Sequence, residues 1–156
     1  MTSGLDVKQF REDIIRPTLF YLDMYSMSAE TLLLGTAIQE SLLCYIRQLE
    51  SGPALGLYQM EPATHTDIWL NYLGFRPELK EKMEDLLAPF PSRIDQLQSN
   101  LFYATAMARL HYYRVSMPLP EPDDIGGMAA YWKDHYNTEL GAGSVQEFID
   151  RFNNFV

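Results

Sequence analysis

Any fold for this chain has to accommodate the stretch from Ser28 to Leu49, where apolar residues recur at helical spacing and one carboxylate falls among them. Leu34, Ala37, Ile38, Ser41, Tyr45 and Leu49 trace one stripe. A second face carries Leu33, Ala37, Glu40 and Cys44. A helix that is apolar round much of its circumference has to be covered on most sides, so this one is expected at the centre of the molecule. Ser28 is placed to cap it, with Glu30 in its first turn. Cys44 reads as a thiol packed on the apolar face.

Proline and glycine punctuate the rest. Pro17 divides residues 5–24 into two short helical pieces. Gly52, Pro53 and Gly56 break the helical pattern, so residues 50–60 are expected to be irregular or to form a short β segment. Pro62 opens a helix that Gly74 ends, and Pro77 opens another that closes before Pro89 and Pro91. Ile94, Leu97, Leu101, Ala104 and Ala108 predict one long helix from Arg93 to Ser116, stopped by Pro118. Residues 117–124 form a proline-rich connection, and residues 125–136 are helical. Ser144 and Glu147 have capping-box spacing ahead of an amphipathic terminal helix. The expected class is mainly α, with an α+β variant if the 50–60 segment pairs, in one domain over residues 1–156.

Charge narrows the function. Asp and Glu number 21 against 12 Lys and Arg, a net charge of -9, with no basic stripe for nucleic acid. No apolar run approaches the roughly 20 residues of a membrane span. One cysteine excludes an internal disulfide. Asp6, Lys8, Arg11, Glu12 and Asp13 interrupt the N-terminal region, so no signal peptide is expected and synthesis is expected in a cytoplasm. His65, His111 and His135 lack metal-ligand spacing and read as surface or partly satisfied histidines, so no metal and no cofactor are expected. Trp69, Tyr72, Tyr112, Tyr113 and Trp132 are read as core aromatics that also offer stacking surface.

Glu40 is the residue with a chemical consequence. Leu33, Ala37 and Cys44 on its face do not solvate a carboxylate, so its pKa is expected above the ordinary value of about 4.3. A carboxyl that is partly protonated near neutrality can donate a proton to a glycosidic oxygen. Sixteen positions later comes Gly56-Leu57-Tyr58-Gln59-Met60-Glu61-Pro62-Ala63-Thr64. Gly56 permits close backbone approach, Tyr58 offers a ring, and Gln59 offers both a donor and an acceptor. Pro62 and Thr64 start the next helix.

The pair Glu40-Ser41 followed at this distance by that block resembles the soluble lytic transglycosylases of the lysozyme-like superfamily. The likeness covers about residues 32–73. A weaker one runs from 95 to 143, where Asn100 opens a helix and Tyr136-Asn137-Thr138 with Gly141 stands near the family's Tyr-Asn-Ala-Gly; Tyr131 is an alternative for that tyrosine. The resemblance implies a lysozyme-like helical fold and a peptidoglycan-cleaving enzyme acting on the β-1,4 bond between N-acetylmuramic acid and N-acetylglucosamine. It implies Glu40 as the sole acid and base, with Ser41, Gly56, Tyr58, Gln59, Thr64, Tyr136 and Asn137 about the substrate. A hydrolytic relative would add a second carboxylate, for which Glu50, Glu61 and Asp67 are candidates. Glu50-Ser51, six positions before Gly56, is an alternative Glu-Ser pair.

Bacterial cell wall is itself anionic, so an acidic wall enzyme fits delivery by an assembly. By analogy the expected setting is a bacteriophage virion or host cytoplasm, with glycan strands and other virion proteins as partners. The competing expectation is a non-enzymatic phage structural or adaptor protein that keeps the fold.

Overall fold

The computed structural model describes residues 4–137 and 141–156. The chain is mainly helical. At its centre lies α3 (Met27–Ser41), buried from Ala29 through Gln39 and again at Ser41. Its cap is Ser26, whose Oγ accepts from the Ala29 N–H at 3.0 Å, two residues before the expected Ser28. The helix stops at Ser41 because Leu42 and Leu43 both turn left-handed, with φ of 55° and 54°. Cys44, Tyr45 and Leu49 therefore fall outside the helix and are exposed, which corrects the expectation of a packed thiol.

The first helices run on through Pro17. α1 (Val7–Gln9) leads into a π-helical turn (Phe10–Ile15) and then α2 (Arg16–Tyr21). Proline removes a donor and crowds the carbonyl four residues back. The wider π turn absorbs this, with the Arg16 N–H bonding the Arg11 carbonyl. Two of these residues clamp the central helix: Arg11 Nε lies 2.7 Å and Arg16 Nε 2.6 Å from the carboxylate of buried Glu30.

Residues 46–60 are irregular, with two isolated β-bridges, Arg47 to Leu55 and Leu55 to Met60. Pro62 opens α4 (Pro62–Asn71), and Pro77 opens α5 (Pro77–Asp85), both as the prolines predict. The expected long helix is broken. α6 (Gln96–Ser99) ends at Asn100, which is extended and caps α7 (Leu101–Tyr113) by accepting from the Tyr103 N–H at 3.0 Å. Its amide also donates to the Leu86 carbonyl at 2.9 Å, so tertiary contact holds the break open.

α8 (Ile125–Trp132) continues into a π-helical turn, Lys133–Asn137. α9 (Val145–Phe155) is capped by Ser144 as expected, but the Glu147 carboxylate turns to Gln39 Nε2 at 2.7 Å, so only half of the box forms.

Two apolar clusters share α7. One gathers Leu33, Ala37, Ile38, Tyr58, Tyr112, Trp132 and Phe148 around α3. The other gathers Met60, Ile68, Trp69, Leu73, Tyr103 and Met107 around α4. The chain passes from one to the other between Tyr58 and Met60, so Gln59 stands at their junction. No described helix is long and apolar enough to cross a membrane.

Candidate active site

Glu40 occupies the last turn of α3, where the helix leaves the core. Burial of its neighbours follows from the apolar pattern, and the left-handed residues at 42 and 43 turn the chain away beyond it. The carboxyl forms part of the wall of a cleft of about 440 Å³. Gln59, Thr64, His111, Tyr136 and Asn137 line the same cleft. That volume lies within the range of small-ligand sites, about 300–1,000 Å³.

Trp132 Nε1 donates to Glu40 Oε2 at 2.8 Å. Burial pushes the Glu40 carboxyl up to about 7; the Trp132 donor and the charges of Arg151 and Lys133 pull it down, while Glu147 raises it. A group at that value is present in both protonation states near neutrality, which suits proton donation followed by proton removal.

The block after Glu40 forms a tight bracket. Leu55 and Met60 exchange backbone hydrogen bonds at 2.9 and 3.0 Å, and the Gln59 N–H bonds the Gly56 carbonyl at 3.0 Å. Gly56 has φ +81°, and a Cβ there would lie 2.0 Å from the Leu97 carbonyl oxygen. The close approach that requires glycine is thus to the protein's own α6, not to a ligand. Gln59 is itself left-handed at φ 48°, and its Nε2 donates to the Gly56 carbonyl at 2.9 Å while the residue lines the cleft.

Two expected contact residues are used inside the fold. The Tyr58 ring is buried in the core, and its hydroxyl bonds Thr105 Oγ1 at 2.9 Å, so it presents no stacking surface. Ser41 Oγ donates to the Ala37 carbonyl at 3.0 Å and is buried. Both side chains are buried, hydrogen-bonded within the fold and absent from the cleft wall. Tyr136 lines the cleft and donates to the Tyr58 carbonyl at 2.6 Å. Tyr131 is elsewhere, with its hydroxyl on the Met117 carbonyl. Asn137 lines the cleft but spends its amide on the Ala142 carbonyl, 2.7 Å, and its oxygen on Lys133 Nζ, 2.8 Å. Thr138 lies outside the described residues.

Among the second-carboxylate candidates, Glu61 lines the cleft. Asp67 is engaged by Arg114 Nη1 at 2.7 Å, and Glu50 is exposed and does not line the cleft, although it belongs to the same 46–60 segment as Gln59. His65 is a core residue, with Nε2 2.6 Å from the Tyr103 hydroxyl. Burial pushes its pKa down to about 4. No group of three His, Cys, Asp or Glu capable of holding a metal occurs among the described residues.

No family model, no curated protein and no solved structure matches this chain. What the cleft can do chemically follows from its own residues.

Two residues of the site, Trp132 and His111, carry no signal for it in the sequence pattern. Trp132 is a core residue, as expected, but its indole N–H is also the partner of Glu40. His111, expected as a surface or partly satisfied histidine, lines the cleft against Tyr136. A helical wheel of α7 places Tyr112 on the core face and turns His111 away from it; which cleft that direction meets depends on the packing of distant elements.

Proposed function

We propose that this chain cleaves the glycan strands of bacterial peptidoglycan as a lytic transglycosylase on a lysozyme-like helical fold, with Glu40 as acid and then base. The observation that carries the reading is one largely buried carboxyl, Glu40, held by Trp132 on the wall of a cleft, where burial pushes it up to about 7. In the first step the Glu40 proton passes to the oxygen between N-acetylmuramic acid and N-acetylglucosamine, and the C–O bond breaks. The substrate's acetamido group stabilises the charge left on the anomeric carbon. The Glu40 carboxylate then takes the proton of the muramic 6-hydroxyl, whose oxygen closes a 1,6-anhydro ring. Trp132 fixes the carboxyl and holds one oxygen by its hydrogen bond, leaving the other for the substrate.

A hydrolytic outcome needs a second carboxylate to position water, and Glu61 is the one on the cleft. Mass analysis of muropeptides released from purified sacculi separates the outcomes. Anhydro ends are the expected result; reducing ends assign a hydrolase, and no release at high protein concentration overturns the enzymatic reading. The consumption of Tyr58 and Ser41 inside the fold favours, as the second reading, an adaptor that keeps the architecture without the activity. The bacteriophage setting, and delivery within a virion to an acidic enzyme's anionic substrate, belong to the same proposal.

A further inference from the structure

Arg114 Nη2 lies 3.0 Å from His111 Nδ1. A guanidinium has donors only, so at this contact Nδ1 must accept. A neutral imidazole that accepts at Nδ1 carries its proton on Nε2. Arg114 is itself fixed, since its Nη1 sits 2.7 Å from Asp67 Oδ2, and Asp67 accepts from Asn71 Nδ2 at 2.7 Å. The His111 ring meets the Tyr136 ring edge to face, with centroids 4.9 Å apart, which holds its plane. Among the described residues nothing accepts from Nε2, and the ring lines the cleft that Glu40 also lines.

We propose that His111 is a ligand-binding residue of the cleft, locked by Asp67 and Arg114 as the Nε2–H tautomer so that Nε2–H donates to a neutral acceptor oxygen, the acetamido carbonyl of a wall glycan. The identity of the acceptor rests on the peptidoglycan reading; the tautomer does not. Burial and the adjacent Arg114 charge also push His111 down to about 4, so the ring stays neutral at working pH and offers a donor without a charge. This gives Asp67 a supporting part in the site: it positions the arginine that sets the histidine.

Nitrogen-15 NMR of the histidine rings in the full chain reads the tautomer directly. At pH 7 the expected His111 signals are a protonated Nε2 and an unprotonated Nδ1; the reverse assignment, or a mixture of both, overturns the proposal. The second arm titrates the Glu40→Gln protein, which binds without turnover, with the N-acetylglucosamine tetramer. The His111 Nε2–H resonance is expected to shift on binding. Adding His111→Phe should weaken binding about tenfold, the usual effect of one lost neutral hydrogen bond, while His111→Gln, which keeps an N–H donor, should stay within about threefold of the parent. Melting temperatures of the variants check that they fold. Binding that leaves Nε2–H unmoved and is indifferent to His111→Phe overturns the His111 assignment alone. No binding of the tetramer at all overturns the glycan reading and, with it, the acetamido acceptor.

Discussion

Trp132 Nε1 and Glu40 Oε2 form a 2.8 Å hydrogen bond between residues 92 positions apart, joining the end of α8 to the end of α3. Trp132 is fully buried, so water cannot replace its donor. The bond favours the charged carboxylate and opposes the burial that raises its pKa. Trp132→Phe should therefore move Glu40 above 7 by about one unit, given that hydrogen bonds to charged groups contribute about 1.5 kcal/mol or more. The truncation also leaves a cavity and should cost about 2 kcal/mol of stability. Carbon-13 NMR titration of the Glu40 carboxyl, with a parallel denaturation curve, measures both.

Stability should depend on pH through Glu40 with a definite sign. Its pKa is raised on folding from the ordinary 4.5 to about 7. The folded state thus binds the proton more tightly than the unfolded state, and the penalty of ionising it grows as pH rises through that window. Below the ordinary value the penalty is absent; above 7 it is complete. Glu40→Gln removes it, so the variant should match the parent at pH 4 and exceed it by about 3 kcal/mol at pH 8. Denaturant midpoints at the two pH values give the comparison, and a variant weaker than the parent at pH 8 would show that the carboxylate is a structural anchor.

Gly56→Ala should be severe despite its small size. The position is left-handed at +81°, and the new methyl would sit 2.0 Å from the Leu97 carbonyl oxygen, a backbone atom that cannot swing aside. Backbone strain of about 1–2 kcal/mol adds to a steric displacement of about 1–3 kcal/mol. The expected loss is about 3 kcal/mol by chemical denaturation, together with loss of any cleft activity, because the bracket carries Gln59. A change under about 0.5 kcal/mol, the range of ordinary surface substitutions, would mean that the loop moves freely from α6.

Much of the helical framework is legible from local chemistry. Pro62 and Pro77 each sit at a helix start, and Ser144 caps α9, because these signals act within one turn. The burial that perturbs Glu40 is likewise visible in the apolar residues around it. The end of α3 is not, since Leu42 and Leu43 adopt positive φ without the glycine that usually marks such a stop. Asn100 interrupts a continuous apolar stripe because its side chain bonds Leu86, a partner no periodicity records. Tyr58 is taken by Thr105, 47 positions away, a partner that no local pattern records, whereas Ser41 bonds the Ala37 carbonyl one turn back and His111 meets Arg114 three residues on, both within reach of local spacing.

The central claim is that the Glu40 carboxyl breaks glycan strands. Release of soluble muropeptides from purified sacculi by the parent chain and by Glu40→Gln, side by side at pH 6 to 7, tests it most directly. The account predicts release by the parent and a loss of at least about a hundredfold in a variant of equal or greater stability, the scale of removing one general acid–base group. Equal release by the two proteins, or none by either, contradicts it.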